Sequence, residues 1–73
     1  MELSSVNAKS IVKVVSVKSG KTGKRFLSFG ITKGSIIRVL RRESLFGGMV
    51  IEVEGCLYAI RKEAADLIVV AYV

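Results

Sequence analysis

Residues 49 to 61 read MVIEVEGCLYAIR, and their alternation decides the fold class. Met49, Ile51 and Val53 fall on one side of an extended chain, with Val50, Glu52 and Glu54 on the other. That is the period of two that a half-buried strand requires. Glu54-Gly55 is a two-residue turn signal, so the spacing predicts a hairpin that returns through a second strand over Cys56 to Arg61.

Moving outward, RKEAAD at 61 to 66 has the length of one helical turn, and LIVVAYV at 67 to 73 reads as a final buried strand. Tyr58 and Tyr72 fall within runs that read as buried. Upstream, residues 24 to 42 read KRFLSFGITKGSIIRVLRR. Thr22 is placed to N-cap a short helix over Gly23 to Phe29. Gly30 suits the left-handed position just past its end, and Ile31 can fold back on Phe26 or Leu27. Phe26, Leu27 and Phe29 cannot share one narrow stripe, so two turns of helix leave one of them exposed. TKGS then turns the chain into a strand over Ser35 to Arg42 with apolar residues on both faces. In IVKVVSVK, residues 11 to 18, the apolar phase changes between Val14 and Val15, which predicts a bulge or sharp bend in a further strand. FGG, residues 46 to 48, is a loop. Five short strands, one small helix and a helical turn before the last strand predict a small SH3-like barrel forming a single domain over residues 1 to 73.

A 73-residue chain buries only about 60% of the surface its unfolded form exposes, which leaves little room for a large active-site cavity. The 51% hydrophobic content excludes a disordered tail. No apolar run approaches the roughly 20 residues needed to span a bilayer as a helix, and MELSSVNAKS at the start lacks the apolar core of a secretory signal. These features point to the cytoplasm. Cys56 is the single cysteine and the chain has no histidine, so no intramolecular disulfide forms, no multi-cysteine metal site exists within one chain, and a Cys nucleophile lacks its usual base. Cys56 reads as a small strand residue.

The net charge of +6 conceals a split. Leu3 through Arg42 carries ten basic residues and no acid, whereas Glu43 onward carries five acids against Arg61 and Lys62. The basic half could face nucleic acid, anionic headgroups or an acidic protein surface; it could equally be an ordinary solvated surface. Nucleic-acid binding through Lys13, Lys18, Arg38 and Arg41 stands as an alternative, although the aromatic platforms it wants are limited to Phe26, Phe29 and Phe46. Glu52 with Glu54, and Glu63 with Asp66, are spaced as weak carboxylate pairs, the latter at an oligomer interface; a solvated face explains them as well. SGKTGK at 19 to 24 resembles the end of a phosphate-binding loop, but the motif's first glycine is replaced by Val15.

The stretch from Arg25 to Val70 resembles the FeoA family, small cytoplasmic accessory proteins of bacterial ferrous iron uptake, and related SH3-like domains end some metal-dependent repressors. The resemblance rests on Arg25-Phe26, Gly30-Ile31, Gly34, Ile36 to Arg42, Gly55, Ala59-Ile60-Arg61 and Glu63-Ala64, with Leu3-Ser4 at the start. Two departures stand out. Ala8-Lys9 replaces the family's Pro-Gly before the first strand, and Phe26 and Phe29 are bulkier than the usual Leu or Met. The resemblance implies a non-enzymatic regulator that docks on FeoB, the membrane ferrous iron transporter with a cytosolic GTPase domain, with no cofactor required. The residues expected to dock are Lys24, Arg25, Phe26 and Phe29, with Arg41 and Arg42 as charged neighbours. An anionic membrane face and a homo-oligomer remain open as further partners, as does a role as a stand-alone relative of the repressor domain; direct nucleic-acid binding is disfavoured.

Overall fold

The computed structural model describes residues 1–18, 21–43 and 47–73, with the backbone alone for residues 21–24. In chain order the elements are a 3-10 turn over Leu3–Ser5, strand β1 over Ile11–Val17, helix α1 over Lys21–Ser28, β2 over Ile36–Arg42, β3 over Met49–Val53, β4 over Cys56–Ile60, helix α2 over Lys62–Ala65 and β5 over Ile68–Tyr72. The strands form one sheet in the order β4-β3-β2-β1-β5, with every neighbouring pair antiparallel.

The hairpin of β3 and β4 forms as its alternation predicts. Met49, Ile51 and Val53 are buried, and Val53 faces Cys56 across the turn. Glu54 and Gly55 both take positive φ, at 51° and 82°, the twist that lets two strands join through two residues. The predicted change of phase in β1 is also present, because its pairing with β5 shifts between Val14 and Ser16. Val15 is the extra residue and points to solvent, while Val12 and Val14 point inward. A second shift lies between Val39 and Arg41 in the pairing of β2 with β3. Each bulge bends its strand and adds twist, so the inward residues of all five strands meet in one cluster. Leu3, Val6, Phe26, Ile31 and Ala65 join that cluster from outside the strands. The result is the expected mainly β, SH3-like fold.

Helix α1 begins earlier than its sequence signals suggest. Lys21 is already helical, which puts Thr22 inside the first turn and not at the N-cap. The other end matches the prediction: Gly30 takes φ +81°, its N–H bonds to the Leu27 carbonyl at 3.1 Å and the Ile31 N–H to the Phe26 carbonyl at 2.9 Å. This is a Schellman cap, and its apolar contact partners, Phe26 and Ile31, are both buried in the core.

The last strand is less buried than its composition predicts. Ile68 and Val70 point inward, but Ala71, Tyr72 and Val73 are exposed, Tyr72 at 57%. The far edge of β5 is covered instead by the start of the chain. The Val70 N–H bonds to the Met1 carbonyl at 2.7 Å, the Met1 amino group donates to the Val70 carbonyl at 3.1 Å, and Glu2 bridges to Val69.

Candidate docking surface

Helix α1 presents two faces of different character. Phe26 is 2% exposed and belongs to the core, whereas Leu27, next to it, is 64% exposed. The exposed apolar residue that the sequence requires on this helix is therefore Leu27. Phe26 anchors the helix and offers a partner almost no surface. Phe29 is half-buried. It stacks on Tyr58 of β4, with centroids 4.8 Å apart and planes at 27°, and meets the edge of Phe26 at 6.5 Å. Through that stack the end of α1 rests on the outer strand of the hairpin.

Between α1 and the β4–α2 junction runs an open groove of roughly 830 Å³. Arg25, Phe29, Ala59, Arg61 and Leu67 line it, with the edge of Phe26 at its base. Arg25 and Arg61 make one side of the surface basic, and Glu63 places an acid beside them. Burial pushes the Tyr58 phenol above its ordinary value, with Cys56 and then Glu54 adding to the shift.

The other predicted docking residues lie elsewhere. Arg41 is exposed at the end of β2, where its Nε donates to Glu43 Oε1 at 2.8 Å. Arg42 has a structural role: its Nη1 donates to the carbonyls of Ser4 and Val6, each at 2.7 Å, and ties the 3-10 turn to the sheet. Neither lines the groove. Lys24 is helical, and its side chain lies outside what the structure describes, as do Phe46, residues 19 and 20 of the SGKTGK motif and the side chains of the rest of that motif. Leu27, Tyr58 and Arg61 were not among the residues expected to dock. A single exposed apolar neighbour of a buried Phe was the available signal for Leu27. For Tyr58 and Arg61 no local signal exists, because only the fold brings α1 to β4.

The charge split of the sequence is offset in part by ion pairs, one of which crosses the sheet. Arg38 faces Glu52 across β2 and β3, with 3.8 Å between the charged atoms, Lys18 meets Glu2 at 2.9 Å, and Arg41 meets Glu43. Three of the four basic residues expected on a nucleic-acid stripe thus carry acidic partners, and only Lys13 has none among the described residues. The carboxylate pairs separate likewise. Glu52 belongs to Arg38, and Asp66 accepts from the Ser4 hydroxyl and from Lys62 Nζ at 3.1 Å. Those two hydrogen bonds, Ser4 first, hold the Asp66 carboxyl below its ordinary value. Among the described residues no three metal-ligating side chains cluster, and no helix is long and apolar enough to cross a membrane.

The model of the FeoA domain matches residues 1–72. No curated protein sequence matches the chain. Among solved structures, the crystal structure of an iron uptake regulatory protein, FeoA, superposes with a TM-score of 0.88 at 28% identity, covering 100% of this chain and 96% of that one. The FeoA of Stenotrophomonas maltophilia, solved with zinc and described as a prokaryotic SH3 domain protein, superposes at 0.86 with 24% identity over 97% of this chain and 89% of its own. A manganese-dependent transcriptional repressor contains the same fold, with a TM-score of 0.91 at 21% identity, over 100% of this chain and 41% of the repressor.

Proposed function

Because the chain belongs to the FeoA domain family, linked to ferrous iron transport, we propose that it is a non-enzymatic, cytoplasmic accessory protein that docks on the cytosolic GTPase portion of a FeoB-type transporter and modulates it. The observation that carries the reading is the outer face of α1. Phe26 and the Schellman cap fix the helix to the core, which holds Arg25 outward beside Phe29 on the groove and leaves Leu27 exposed on another side of the helix. A rigidly held helix that presents a guanidinium beside a half-buried aromatic ring, with a further apolar residue exposed, is the kind of element that partners dock on, with the aromatic and Arg positions carrying most of the energy. Arg25 and Arg61 favour an acidic counterpart.

The test is binding of the purified chain to the GTPase portion of the transporter from the same organism. Phe26→Ala is a poor probe, since truncating a fully buried Phe costs about 3–5 kcal/mol of stability and confuses unfolding with lost contact. Leu27→Glu and Arg25→Glu sit on exposed positions and leave the core intact. Saturable wild-type binding weakened at least about 10-fold by each variant, with unchanged melting temperature, supports the reading. Wild-type protein that fails to bind overturns it.

A further inference from the structure

We propose that the free edge of β4 is a self-association site at which two copies of this chain pair β4 to β4, antiparallel, about a two-fold axis through Tyr58. The inference does not rest on the transporter reading, although Ala59 and Arg61 belong to both surfaces, so the two partners would compete for them. It starts from an asymmetry between the two edges of the sheet. The β5 edge is covered by Met1 and Glu2, whereas among the described residues nothing pairs with the outer side of β4. Exposed edges are ordinarily blunted by a charge, a proline or a bulge. CLYAI has none of these: its five pairs with β3 run without a shift, and Leu57 is 63% exposed.

Backbone geometry says which groups point outward. The two-residue turn makes Val53 and Cys56 a pair that exchanges hydrogen bonds, and such pairs alternate along an antiparallel ladder. Tyr58 with Ile51 and Ile60 with Met49 are then bonded pairs. Leu57 and Ala59 direct their N–H and C=O groups away from β3, and among the described residues neither makes a hydrogen bond there. Two strands related by a two-fold axis through Tyr58 place Leu57 of one copy opposite Ala59 of the other, so these outward groups bond each other twice over. The large Leu57 side chain then lies over the small Ala59 methyl.

Charge selects the occupant and restricts the register. The strand is acidic before its start, at Glu54, and basic after its end, at Arg61 and Lys62. Glu54 and Arg61 have no ion-pair partner among the described residues. Antiparallel self-pairing centred on Tyr58 sets Gly55 opposite Arg61 of the second copy and so brings Glu54 one position from Arg61, at both ends at once; Lys62, the first residue of α2, already meets Asp66. A slip of two residues that moves Glu54 toward Ala64 forfeits this contact, whereas the opposite slip, toward Ile60, keeps Glu54 one position from Arg61. An interface that matches itself under a two-fold axis closes at two copies and leaves no further edge.

Sedimentation of the full chain between about 5 µM and about 1 mM tests this, since a small interface falls in the range of weak affinities. The expected result is a reversible monomer–dimer equilibrium. Ala59→Pro removes an outward N–H without touching the bonds to β3 and is expected to be monomeric at every concentration. Glu54→Arg or Arg61→Glu alone weakens association roughly 10-fold, and the two together in one chain restore it. The proposal is overturned by a wild-type chain that stays monomeric at the highest concentration, or by association that persists unchanged in the charge-reversed single variants.

Discussion

Lys9 carries a conformation that its side chain does not favour. Its φ of +69° lies in the left-handed region, where a Cβ costs about 1–2 kcal/mol in a regular left-handed helix and somewhat less at an isolated turn. The backbone accepts this because the Lys9 N–H reaches the Val39 carbonyl at 2.7 Å and the Val39 N–H reaches the Ser10 carbonyl at 2.9 Å, a pair of bonds that starts β1 alongside β2. Resemblance to the family had placed Pro-Gly at Ala8-Lys9, so the departure changes the residue and keeps the turn. Replacing Lys9 by glycine is therefore expected to stabilise the fold by about 0.5–1 kcal/mol, the strain relieved outweighing the extra freedom of an unfolded glycine. Urea denaturation of Lys9→Gly against wild type reads this directly. A lower midpoint for the variant would show that the turn carries no strain.

Elements were legible in the sequence wherever one residue or one period decides them, and illegible where a neighbour decides. The alternation of Met49 to Val53, the Glu54-Gly55 turn and the Gly30 cap are local facts, and all three appear in place. The burial of β4 and β5 was over-read from their apolar composition, because an edge position exposes Leu57 and Tyr72 whatever their propensity. The docking residues divided in the same way: Arg42 looks like a surface charge in sequence, and its role at the Ser4 and Val6 carbonyls depends on a contact spanning half the chain. The tie between α2 and the 3-10 turn is another such long-range contact. Asp66, just past α2, accepts from Ser4 and Lys62, and its carboxyl is lowered for that reason. A carboxyl lowered by folding stabilises the native state above its unfolded value, and the contribution disappears as pH falls through the folded value. Ser4→Ala removes the first cause. Wild type is expected to lose more stability than Ser4→Ala between neutral pH and about pH 2, with the two denaturation midpoints converging in acid. Parallel losses would show that the contact does not contribute.

At the scale of the whole molecule, the two ends of the chain close the structure. β1 pairs with β5, Met1 and Glu2 cover β5, and Leu3 and Val6 are fully buried beside Ile68 and Val70 in the same cluster. That part of the core does not exist until residues near the start meet residues near the end, so loop-closure entropy is lost before its burial is gained. Such topologies refold in milliseconds to seconds and not in microseconds. Composition removes the usual source of anything slower. The chain has no proline, and prolyl isomerisation is what produces phases of tens to hundreds of seconds in monomeric domains. Refolding from urea, followed by tyrosine fluorescence in a stopped-flow instrument, is therefore expected to be a single exponential at low protein concentration. If a slower phase emerges as concentration rises and its rate scales with concentration, it reports a bimolecular step, the docking of one β4 edge on another. Ala59→Pro removes that phase and leaves the fast one in place. A slow phase independent of concentration would contradict the single closing event that this topology implies.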